Sequence, residues 1–177
     1  FDIRKDVLYC DSVKSKKRKN CITVLNILLE CLLKWFAPIL SFTTEEIFSI
    51  VNKENKSIHL EKFAKIPNNW KNNKLNEKWT VLKKIRDNCN ISIEEKRAEK
   101  IIGSSLEAKI DLKLSDKLYE VTKNVDFAEL CITSEAIVSQ SKKNEEILVT
   151  TYKAEGNKCP ICWKIRKDKC ERHGHLS

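Results

Sequence analysis

The feature that most constrains this chain is a change of period at Gly103. Before it, apolar residues recur at helical spacing. After it, they alternate or run in β-branched blocks. Val24, Leu25, Leu28, Leu29, Leu32, Leu33, Trp35 and Phe36 follow i, i+3, i+4 and i+7 steps, which predicts a helix from about Ser15 that Pro38 stops or kinks. "SFTTEEIF" predicts a second helix, about Thr44–Asn52, opened by a capping box of Thr43 and Glu46. Leu75, Trp79, Leu82, Ile85 and Cys89 form an inward stripe on a third helix from about Leu75 to Lys100. Phe1–Lys14 has little periodicity, and Lys53–Asn73 reads as an irregular connector.

Beyond Gly103, "EAKIDLKL" (Glu107–Leu114) alternates as a strand does. "SDKLYEVTKN" reads as a short helix capped by Ser115. Phe127–Val138 and Glu146–Ala154 read as strands, and Gly156-Asn157 as a turn. The order β-α-β-β implies a small α+β unit after a helical bundle. The fold class is therefore α+β, mainly α. The expected boundaries are a helical domain at 1–103, an α+β junction at 104–155 and a tail at 156–177.

That tail holds Cys159-Pro-Ile-Cys162 and, seven residues on, Cys170-Glu-Arg-His173. Two close pairs of soft or borderline ligands suit one tetrahedral Zn²⁺, with a structural rather than catalytic role. His175 is the rival to His173 as the fourth ligand. The lysines and arginines around the cluster are expected to favour the thiolates. A segment this short and polar needs the metal to fold. Cys10, Cys21, Cys31, Cys89 and Cys131 are scattered, the pattern of a reduced cytoplasmic protein rather than a disulfide framework.

The net charge of +9 points to an anionic partner, nucleic acid first. Trp163, beside the second knuckle cysteine, is a candidate platform for an unpaired base. The best membrane candidate, Ile22–Leu40, carries Glu30, Lys34 and Pro38 and reads as a buried helix, so no membrane is expected. Three glycines leave no phosphate loop, and no catalytic constellation is visible. Lone His59 reads as structural or exposed. Trp35, Trp70 and Trp79 read as packing residues rather than base platforms.

"FDIRKDVLYCD", "LLKWFAPILSFTTEEIF", "SIHLEKF", "IIGSSLEAKI" and "KCPICW" occur in this order. Together they resemble the C-terminal part of the bacterial isoleucyl-tRNA synthetases, over essentially the whole chain. The resemblance implies an anticodon-binding bundle, a junction and a zinc-binding end. The whole enzyme would be a class I ligase that charges tRNA-Ile with isoleucine, using ATP that this chain does not bind. The chain reads as a piece of something longer, inactive alone, monomeric and cytoplasmic. Its partners would be the tRNA-Ile anticodon arm and the enzyme's catalytic and editing domains. Arg86, Arg97, Lys100, Trp163, Lys164 and Arg166 are the candidate tRNA contacts. Two departures stand out: His173 occupies the place of a fourth cysteine, and the spacer between the pairs is short. "KSKKRK" (Lys14–Lys19) superficially resembles the family's KMSKS loop but lies within the anticodon-domain series. The other readings are a zinc-knuckle RNA- or DNA-binding protein unrelated to synthetases, or a protein-docking domain.

Overall fold

A computed structural model describes residues 1–52, 56–141 and 147–174. The chain forms two compact units: Val7–Lys71, and Phe1–Asp6 together with Asn72–Ser177. These divisions fall at other places than 103 and 155. The long third helix belongs with the strands, because its buried side chains are the other half of the sheet's core.

Phe1–Lys14, divided between the two units, is helical in part despite its lack of periodicity. A short helix, α1 (Lys5–Cys10), precedes α2 (Lys16–Phe36). Ser15 caps α2 by accepting from the Arg18 N–H at 3.3 Å, and the Arg18 Nε donates to the Leu8 carbonyl at 2.9 Å. α2 ends before Pro38, as the ring's steric demand requires. The expected capping box is absent. α3 spans Ser41–Val51, starting earlier than predicted, with Leu40 at a cap position that makes no side-chain bond. The Thr44 hydroxyl donates back to the Leu40 carbonyl at 2.9 Å, and Glu45 has the long-range role. Its carboxylate accepts from the Ser57 hydroxyl and the Ile58 N–H, each at 2.9 Å.

The core of the Val7–Lys71 unit is small: Leu33, Ala37, Phe48 and Ile58, with Leu29 against them. The reading of Ile22–Leu40 as a buried helix is corrected here. Only Cys31 and Leu33 of α2 are buried, and α3 and one 3₁₀ turn make its main packing contacts within this unit. Ile22, Leu28, Leu32, Trp35 and Phe36 remain exposed. Lys34 lies between Glu30 at 2.7 Å and Glu61 at 3.4 Å, and the bond to Glu30 raises its pKa despite partial burial. Among the described residues no helix is long and apolar enough to cross a membrane.

The second unit is built on α4 (Asn73–Ala98) and a three-stranded sheet. Asn72 caps α4, accepting from the Leu75 N–H at 2.9 Å. The helix ends in a Schellman arrangement. Lys100, at φ +58°, donates to the Arg97 carbonyl, and Ile101 donates to the Lys96 carbonyl. The inward stripe holds at Leu82, Ile85 and Cys89 and continues to Ile93, but Leu75 (51% exposed) and Trp79 (38% exposed) lie off the core. The first turns of α4 reach past the sheet's core cluster, so nothing in the unit covers them fully.

β1 (Ala108–Leu114) is central, parallel to β2 (Glu135–Gln140) and antiparallel to β3 (Ile147–Lys153). Ala108, Ile110, Leu112 and Leu114 share one face by the two-residue period and are fully buried with Leu82, Ile85, Cys89 and Ile93. Across this interface the Ser92 and Thr151 hydroxyls hydrogen-bond at 2.8 Å. Cys89 bonds Cys131 and is buried, which pushes its thiol well above the ordinary range and keeps it a core group.

The connection from β1 to β2 departs from expectation. α5 (Asp116–Thr122) forms, but Ser115 makes no side-chain cap. Phe127–Leu130 is a helix, α6, rather than strand, because Asp126 caps it by accepting from the Glu129 N–H at 2.9 Å. Phe127 and Leu130 point into the core from that turn. The order is thus β-α-α-β-β. The class stands as expected: α+β, mainly α.

Replacing Ile85 with alanine is expected to destabilise this unit by about 2–5 kcal/mol, since a fully buried side chain leaves a cavity between helix and sheet. Urea unfolding followed by far-UV circular dichroism checks it. A loss under about 1 kcal/mol would mean that α4 is not seated on the sheet in solution.

Candidate metal centre

The tail is a hairpin with a second turn behind it. β4 (Asn157–Lys158) pairs with β5 (Ile165–Arg166), and the loop between them is the first knuckle. The Cys159 N–H donates to the Lys164 carbonyl at 3.0 Å, and the Trp163 N–H to the Cys159 carbonyl at 2.9 Å. Trp163 sits at φ +61°, where a side chain is uncommon, and this tight turn brings Cys162 back beside Cys159. The second pair is closed in the same manner. His173 and Gly174 donate to the Cys170 carbonyl at 3.3 and 2.8 Å.

These turns bring Cys159, Cys162, Cys170 and His173 together, with all four ligand atoms within 4.8 Å of one another. The His173 Nδ1 is 3.5 Å from both the Cys159 and the Cys170 Sγ, and the Cys162 and Cys170 Sγ atoms are 3.9 Å apart. The three cysteines are buried, and none of the eight in the chain is in a disulfide. The cluster has the donors and the spacing to hold a metal ion. His175 lies outside the described residues.

The thiols are unequal. Burial opposes ionisation of Cys159, but N–H groups of Cys162 and Ile161 and the His173 ring outweigh it, and the thiol sits at about 6. Cys170 is likewise lowered against burial by the Arg172 and His173 amides and the imidazole. Burial and the neighbouring sulfurs push Cys162 up to about 11. The expectation that flanking lysines favour the thiolates is therefore corrected. Backbone amides and His173 do so. Lys167 pairs with Glu155, and the Lys158 ammonium lies over the Trp163 ring, 5.4 Å from its centroid.

The tail is tied to the rest of its unit. The Ile165 N–H donates to the Ser134 hydroxyl at 2.6 Å, and Arg172, between Cys170 and His173 of the cluster, pairs with Asp6 at 2.6 Å. Neither contact is visible in the sequence, since the partners are 31 and 166 residues apart. Gly156 enters the hairpin at φ +121°.

The candidate RNA contacts do not form one set. Trp163 is 58% exposed beside the Cys/His cluster, Arg166 is half-buried, and Lys164 is buried. Arg97, paired with Glu94, and Lys100 share a shallow depression at the end of α4 with Ile102 and Gly103. The Arg86 Nε donates to the Leu130 carbonyl at 3.0 Å and its Nη2 lies 3.8 Å from Asp2, so part of this guanidinium serves the fold. His59 is exposed, as expected, while Trp35 and Trp70 are half-exposed rather than packed.

A mainly helical chain with a basic surface, an exposed aromatic ring and a Cys/His knuckle has the build of a nucleic-acid-binding module. Residues 1–112 match the family described as the anticodon-binding domain of tRNA ligase, and the chain belongs to that family. It is similar to the isoleucine–tRNA ligase of Pelagibacter ubique (strain HTCC1062), at 65% identity over 173 residues, which is 98% of this chain and 19% of that protein. Those of Agrobacterium fabrum and Mesorhizobium japonicum are 40% and 39% identical, each over 95% of this chain and 18% of theirs. The chain spans about a fifth of the length of the curated relatives it matches.

Proposed function

We propose that this chain is the tRNA-recognition part of a cytoplasmic, class I isoleucine–tRNA ligase, and that it reads the anticodon arm of tRNA-Ile. The family match over residues 1–112 carries this reading, and the isoleucine-specific relatives narrow it. Amino-acid activation with ATP and transfer to tRNA belong to the rest of the enzyme, whose catalytic and editing domains are its partners. This chain's share is binding, as a monomer and with no aminoacylation of its own.

The metal is a single structural Zn²⁺ held by Cys159, Cys162, Cys170 and His173. Tetrahedral zinc, with bonds of ~2.3 Å to sulfur and ~2.0–2.1 Å to nitrogen, needs S···S edges of ~3.8 Å and S···N edges of ~3.5 Å. The observed 3.9 and 3.5 Å fit. With four protein ligands the site is closed to substrate, and the ion's work is to fold the tail. Trp163 then stands as a platform on which an unstacked base can lie, with the Lys158 charge over its ring. Arg86, Arg97, Lys100, Lys164 and Arg166 are the proposed backbone contacts. The burial of Lys164 and the bonds of Arg86 favour Arg97 and Lys100, at the end of α4, as those that meet RNA first.

The test is binding of the zinc-loaded chain to an isoleucine anticodon stem-loop, beside one differing only in its anticodon. A preference for the first is expected, and Trp163→Ala should weaken it by ~1–3 kcal/mol, roughly 5- to 150-fold. Equal, salt-sensitive binding to both RNAs would leave only a basic surface and overturn anticodon reading.

A further inference from the structure

We propose that Ser134 is the positioning residue that seats the metal-bearing hairpin on the α+β body and thereby fixes where Trp163 is presented. Ser134 lies between α6 and β2 and is 2% exposed. Its N–H donates to the Ala108 carbonyl at 3.0 Å, at the start of the central strand. Its hydroxyl donates to the Leu106 carbonyl at 2.5 Å and accepts from the Ile165 N–H at 2.6 Å.

A hydroxyl has one proton to give and lone pairs to receive with. Both capacities are used here, and in different directions. The proton goes to the turn that leads into β1. The lone pair takes the one β5 amide that points out of the hairpin, two residues beyond Trp163. Ile165 pairs with Lys158, the residue before Cys159, so the bond grips the strand pair that carries the first knuckle. The other long-range tie, Arg172 to Asp6, is a partly exposed ion pair, a kind that adds little. A pair of hydrogen bonds through a buried serine, whose loss leaves both a donor and an acceptor unpaired, weighs more. The metal therefore folds the tail, and Ser134 aims it. The bound metal and the step from aim to RNA affinity rest on the function proposed above, whereas the seating of the hairpin does not.

The experiment compares the zinc-loaded chain with its Ser134→Ala and Ser134→Thr variants by amide exchange, zinc stoichiometry and stem-loop binding. Ser134→Ala should keep one zinc per chain. It should speed exchange at Ile165 by about 10-fold or more while Ile110 and Leu112 hold their wild-type rates. It should also weaken stem-loop binding by about 10-fold, and Ser134→Thr, which keeps the hydroxyl, should recover most of both. Unchanged exchange at Ile165, or an equal rise at Ile110 and Leu112, overturns the proposal, the latter because it reports general loosening. If wild-type protein binds no stem-loop, the RNA reading falls, while the exchange data still decide whether Ser134 seats the hairpin. Should Ser134→Ala not fold, the zinc-loaded wild-type protein decides: its Ile165 amide, bonded to Ser134, should be protected from exchange, and an Ile165 amide that exchanges as freely as in an unfolded chain overturns the role of Ser134.

Discussion

Cys170→Ser is expected to take metal uptake from one ion per chain to none and to unfold the tail while leaving the α+β body intact. Cys170 is buried, with its Sγ 3.9 Å from Cys162 and 3.5 Å from the His173 ring, so it touches half of the cluster directly. Two-residue strands and a pair of turns are too little to fold by themselves. Structural zinc supplies on the order of 10–16 kcal/mol in comparable small modules. The body is a different matter. Its core cluster, from Leu82 to Cys131, includes no residue of the tail. Zinc titration and residue-level amide exchange check the expectation. Amides of 157–174 should lose protection and those of Ile110 and Leu112 should keep it. A variant that still binds zinc at full stoichiometry would mean that Cys170 is not a ligand.

Gly156→Ala should be nearly as damaging although it touches no ligand. A Cβ at this position would lie 2.1 Å from the Arg166 carbonyl oxygen and 2.3 Å from its carbon, both backbone atoms that cannot swing aside. The φ of +121° is itself costly for any residue with a side chain. Strain of this kind costs ~1–3 kcal/mol, and the clash adds to it, so β4 and β5 should separate at the point where Asn157 meets Arg166. A penalty of about 3 kcal/mol lowers zinc affinity by roughly 100-fold. Competition against a calibrated chelator measures this, and affinity within about threefold of wild type would show that the hairpin is not needed to present the knuckle.

The Cys/His cluster was legible in the sequence because its spacing is local. Cys159 with Cys162, and Cys170 with His173, are spaced so that each pair closes within one turn, and no distant residue has to be known. The helices were legible for a similar reason, with α2 and α4 written in the period of their apolar residues. The errors came where two short-range signals competed. Phe127–Leu130 is followed by β-branched and apolar residues, yet it forms a helix that Asp126 caps. Thr43 with Glu46 has the spacing of a capping box, but the chain had already entered the helix at Ser41, leaving no free amides there for a cap. The inward stripe failed at Leu75 and Trp79 because periodicity records which residues share a face, not how far the neighbouring core extends. Ser134 was invisible. Its role depends on Leu106 and Ile165, brought to it from either side by folding.

The pair of Asp6 and Arg172 carries a consequence for how the molecule is made. Arg172 follows Asp6 by 166 residues. At roughly 5–20 residues per second, a ribosome delivers it some ten to thirty seconds later. Over that interval Asp6 has no Arg172 to meet, although Asp2 and Arg4 can already find Arg86 and Glu129 on the same unit. The segment that carries Asp6 thus waits for this partner until the Cys/His tail has been made, and the folding of that tail is also the event that brings Arg172 to it.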